Sequence, residues 1–85
     1  MELKDTVEMM LSDDYKERFK AEYQQVKIRW SKLSKMLDDW DAGVLAFEPT
    51  CPKHTLMRQC DAMLSYLEIM MSRAWYEGIE LEGEN

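Results

Sequence analysis

Two stretches of the chain place apolar residues at alternating steps of four and three. In the first, Phe19, Tyr23, Val26, Trp30, Leu33, Leu37 and Trp40 keep this rhythm; in the second, Leu56, Cys60, Met63, Leu67, Met70 and Ala74 do. Such spacing lines one face of an α-helix and packs knobs into holes against a neighbouring helix. No Gly or Pro breaks either stretch, and Gly43 and Gly78 follow where a helix stop is expected. The pattern predicts long helices over residues 13–42 and 53–77. Ser12 is the expected cap of the first, with Asp13 and Asp14 in the first turn and Asp14 and Glu17 at capping-box spacing. Residues 43–52 form a loop that carries both prolines. A connection this short makes an antiparallel hairpin the simplest packing, with Leu45 and Phe47 expected to cap its core. Residues 1–11 read as a short lead-in helix starting at Thr6, and 78–85 as an acidic tail that frays at its end. The expected fold is thus all-α: one hairpin domain of two long helices with a short N-terminal helix.

The second long helix has more apolar surface than one seam uses. Met57, Leu64 and Met71 make a second row, and Ala62, Tyr66, Ile69 and Tyr76 a third. Ala21 and Ile28 add a smaller apolar spot on the back of the first helix. A helix apolar around most of its girth is buried on several sides. An 85-residue chain also buries only roughly 60–65% of its unfolded surface. Both points predict a homo-oligomeric bundle with the second helix near its centre. A Met-rich surface also suits a helical interaction module that grips a partner peptide, which leaves a hetero-complex open.

Composition removes several function classes. The charged N-terminus lacks an apolar signal core, and no run approaches the ~18 apolar residues of a membrane span. A cytoplasmic protein without a disulfide is expected. The single His, and the lack of a nucleophile spacing, a Gly-rich phosphate loop or a triad order, argue against an enzyme. Cys51, His54 and Cys60 could begin a metal site, but no further Cys or His completes it, and Asp61 or a second chain would have to do so. Neither a metal nor a cofactor is expected.

The net charge of −6 is uneven: Tyr15 to Leu37 holds seven bases against two acids, a segment of +5 that leaves −11 elsewhere. An acidic chain is a poor DNA binder, yet a local basic stretch can hold a small anion. Lys16, Lys20 and Lys27 lie on one side of the first seam; Arg18, Arg29 and Lys32 lie on the other. Tyr15, Tyr23 and Trp30 stand at or beside it. A nucleotide needs such a ring for its base and such cations for its phosphates. The same charges would also serve as solvated flanks of a helix pair. In the second helix Arg73 precedes Trp75 and Tyr76, and it could bind an anion or pair with Glu77 one turn on. The candidate nucleotide-binding residues are Tyr15, Arg18, Lys27, Arg29, Trp30 and Arg73.

The run from Ser12 to Tyr23, followed by Lys27, Arg29, Lys32 and Leu33, resembles the opening of a small family of helical-hairpin proteins encoded by phages and prophages, crAss-like phages among them. Cys51-Pro52, Leu56, Gln59, Met63, Tyr66-Leu67, Arg73-Ala74 and Glu77-Gly78-Ile79 extend the resemblance over about residues 12–81. The plan, with Arg-Ala near the end of the second helix, is also similar to the oligomeric phage sponges that counter CBASS and Thoeris immunity. That resemblance implies an anti-defence protein of the host cytoplasm. It would sequester a cyclic dinucleotide, a cyclic trinucleotide or an ADP-ribose-type signal between protomers without cleaving it. In those sponges a Tyr and a Lys of the first long helix form the pocket, and the nearest residues here are Tyr15 and either Lys27 or Arg29.

Overall fold

The computed structural model describes residues 1–81. Among them every regular element is helical. A 3-10 turn, Leu3–Thr6, runs into the four-residue helix α1, Val7–Met10; the long helices α2, Tyr15–Asp41, and α3, Lys53–Glu77, follow. The molecule measures 43 × 24 × 22 Å, and its long dimension is close to the ~40 Å of a 27-residue helix at about 1.5 Å per residue. Side-chain pairs set the antiparallel register of α2 and α3: Arg73 lies over Phe19, Tyr66 reaches Glu22, and Lys53 reaches both Trp40 and Asp41.

Phe19, Tyr23, Leu67, Met70, Ala74 and Ile79 form the core, with Val26, Trp30 and Leu81 against it. These are seam residues of both helices plus two from the segment after α3. Gly78 brings that segment back. Its φ of 67° is left-handed, and the Ile79 N–H then donates to the Ala74 carbonyl at 2.9 Å. Ile79 and Ala74 are both buried there, the apolar contact that accompanies such a stop. Gly43, at φ 73°, ends α2 by the same device, with Gly43 N–H bonded to Trp40 O and Val44 N–H to Asp39 O.

Several local expectations change. The cap of α2 is Asp14, whose Oδ1 accepts from the Lys16 N–H at 2.9 Å. Ser12 stands two residues outside: its Oγ accepts from the Asp14 N–H and its carbonyl from Arg18 Nη1. The lead-in begins at Leu3 rather than Thr6. It also covers the back of α2 around Ala21, so that spot is buried within the chain and needs no second copy. Thr6 is fully buried, and its Oγ1 accepts from Gln25 Nε2 at 2.9 Å while donating to the Leu3 carbonyl at 2.7 Å. Gln25 also meets the Met10 sulfur, and Ala21, one turn earlier on α2, is fully buried. The loop does not cap the core as expected: Phe47 is 57% exposed and only Leu45 is half-buried. That end is closed by Lys53, which pairs with Asp41 and lies 5.5 Å from the Trp40 ring centre. The fraying expected of the tail concerns residues 82–85, outside the described residues.

Candidate functional site

Helical spacing puts Ala62, Tyr66, Ile69 and Arg73 on one row of α3, at steps of four, three and four. With Ser65 and Met70 of α3 and Glu22 of α2 they line an open groove of about 500 Å³. Its walls are mostly apolar. The polar groups are concentrated at Glu22, Tyr66 and Arg73, and each is held by a neighbour. The Tyr66 hydroxyl donates to Glu22 Oε2. The guanidinium of Arg73 lies 4.8 Å from the Phe19 ring centre, and its Nε donates to Glu77 Oε2 at 3.0 Å. Arg73 therefore meets the ring and the carboxylate at once, and half of its side chain remains exposed. A guanidinium fixed by a ring and a carboxylate keeps further N–H donors free for an anion.

The hydrogen bond to Glu22 pushes the Tyr66 hydroxyl above its ordinary range. Burial and the Glu22 charge add to this, and Arg73 opposes it. Away from the groove, burial is the largest cause that raises the Cys60 thiol; Asp61 and Asp38 raise it further, against hydrogen bonds from Ser34 and Trp30. Cys51 and Cys60 are free. Among the described residues no three His, Cys, Asp or Glu side chains converge into a metal-binding group.

The candidate residues fall in three places. Arg73 lines the groove. Arg18 and Arg29 share the flank of α2 that carries Glu22, by helical spacing, and both are exposed. Glu22 reaches across to Tyr66, so this flank borders the groove. Arg18 is anchored by its bond to the Ser12 carbonyl. Lys27 lies on the other side of the seam, 5.8 Å from the Tyr23 ring centre. Trp30 is half-buried against the core, and Tyr15 is half-exposed at the start of α2. The chain thus gathers three arginines along one edge and holds Lys27 and Trp30 apart from them. The sequence reading missed Glu22, Tyr66 and Ile69 as groove residues. The signal was the shared row with Arg73, which had been read only as surplus apolar surface.

This fold and groove define a small all-α protein built as an antiparallel helical hairpin with an arginine-edged apolar cleft. The chain belongs to the Sequestin family, whose family model matches residues 13–76, from just before the cap of α2 almost to the end of α3. No curated protein and no solved structure matches it. No described helix is long and apolar enough to cross a membrane.

Proposed function

We propose that the protein is a phage anti-defence sponge: a homo-oligomer that binds a cyclic nucleotide immune signal in the host cytoplasm and holds it without cleavage. The observation that carries this reading is Arg73, seated on Phe19 at an apolar groove with Arg18 and Arg29 on the bordering flank. Apolar and aromatic walls can take a base, and stacking contributes ~1–3 kcal/mol per base. The arginines supply charge-assisted bonds to phosphate. The family name, which denotes sequestration, supports the same reading.

Titration calorimetry tests it, using a panel of cyclic dinucleotides, cyclic trinucleotides and cyclic ADP-ribose derivatives. One class should bind with micromolar or tighter affinity, and Arg73→Ala should weaken it at least tenfold. Denaturing the complex should release the nucleotide intact. No heat with any member of the panel would defeat the proposal, and release of a cleaved product would make the protein an enzyme.

A second reading rests on Met57, Leu64 and Met71, which are 49%, 41% and 38% exposed along one flank of α3. A host protein could be gripped there. Glutamate substitutions along this row should abolish host-protein capture and leave nucleotide binding intact if that reading is the right one.

A further inference from the structure

Arg58, Ala62, Ser65, Ile69, Ser72 and Tyr76 follow one another along α3 at steps of four and three. They form a second heptad seam beside the one that meets α2. All six are exposed in the protomer, Ile69 at 63% and Tyr76 at 83%. A heptad seam is the surface of a helix that packs on another helix, and the protomer offers this one nothing to pack on. It is also more open at its apolar positions than the methionine row on the other flank.

We infer that this seam pairs with the same seam of a second copy, antiparallel about a twofold axis at Ile69, and that each copy inserts Tyr76 into the other's groove. Ile69 is midway between Ala62 and Tyr76, seven residues from each. An isologous contact centred there sets Ile69 against its own copy and small Ala62 against the partner's Tyr76. Ala62 lines the groove and Tyr76 does not line its own. The tyrosine is therefore free to fill the partner's groove, and it meets a gap rather than a bulky side chain. Ser65 falls opposite the partner's Arg73, again small against large.

Charge agrees with the direction. Arg58 falls just past the C-terminal end of the partner's α3, where the helix dipole places negative charge. A parallel pairing would set Arg58 against Arg58. Doubled by symmetry, Tyr66, Ile69 and Tyr76 make an apolar centre. Tyr76 and Ile69, at 83% and 63% exposure, have the most surface to bury in such a contact, and Tyr66, at 44%, adds less. The second copy also supplies a residue to the site. A phenol ring at the Ala62 end adds an aromatic wall to a groove that is open in one protomer.

The inference rests on the proposed self-assembly and not on the identity of the ligand, so its test uses no nucleotide. Light scattering after size exclusion should give an even-numbered assembly for the wild type. Ile69→Glu should halve the mass with unchanged helicity by circular dichroism, because the side chain is exposed in the protomer. In a Cys51→Ser, Cys60→Ala background, Ile69→Cys should form a covalent dimer on mild oxidation and Met57→Cys should not. A monomeric wild type, an Ile69→Glu protein of unchanged mass, or equal cross-linking at both positions overturns the pairing. If Ile69→Glu halves the mass while the wild type binds no cyclic nucleotide, the ligand reading falls and the interface stands.

Discussion

At the end of the hairpin where α2 begins and α3 stops, Phe19, Tyr23, Leu67, Met70 and Ala74 are buried. At the loop end only Leu37 reaches that state; Leu33, Trp40, Leu56, Cys60 and Met63 stay half-buried. The heptad rhythm is equally regular at both ends, so the rhythm does not account for the difference. A third segment does. Beyond Gly78 the chain turns back and lays Ile79 and Leu81 on the seam. Beyond Gly43 it leads away, with Val44 and Phe47 exposed. Two helices make a seam, but something must lie over it before it becomes a core.

The largest effect should separate the two ends directly. Leu67→Ala, at the covered end, should cost about 2–5 kcal/mol, and Leu56→Ala, at the open end, less than half of that. Urea midpoints at unchanged slope measure both, and equal losses would break the contrast. The glycines sharpen it. A Cβ at Gly43 or Gly78 meets nothing within 4 Å, so the cost of Ala is the backbone strain of a left-handed residue, roughly 1–2 kcal/mol. Gly78→Ala should exceed Gly43→Ala in thermal unfolding, because it also displaces Ile79 from the core. Lys53→Ala removes a partly exposed ion pair and a ring contact at the loop end. It should lower stability by less than about 1 kcal/mol and leave the Phe19 end unaltered in hydrogen exchange.

The smallest effect is alkaline. Tyr66 and Cys60 both hold their protons more tightly when folded than their ordinary values of 10.0 and 9.0 describe. The folded state therefore binds more protons than the unfolded state in that range. Their contribution is complete below about pH 9 and is lost as pH rises through the folded values. Stability should fall gradually above that point. Tyr66→Phe should flatten the upper part of the curve and Cys60→Ser the lower part. A wild-type curve that rises there would reverse the sign of both shifts.

Both long helices and their antiparallel packing were legible because the same three-four spacing that names a helix also names its buried face. The helix stops were legible at Gly43 and Gly78 because few residues other than Gly take a left-handed backbone. The cap was not: Ser12 and Asp14 are both good acceptors, and a single hydrogen bond to the Lys16 N–H decides between them. The lead-in was legible as a helix, but its docking was not, since that depends on Gln25 reaching Thr6 from 19 residues away. Arg73 could be chosen from its aromatic neighbours in sequence. Its actual ring is Phe19 of the other helix, a contact that only the register supplies. Tyr66 and Glu22, 44 residues apart, are joined between the same two helices and gave no local sign of it.

Trp75 is 83% exposed, while Trp30 leans on the core and Trp40 lies beneath Lys53. The three indoles are thus spread over the open flank of α3, the middle of the seam and the loop end. Intrinsic fluorescence can read all three without a label. Acrylamide should quench Trp75 first, and a blue shift on raising the concentration would report a neighbour settling beside it.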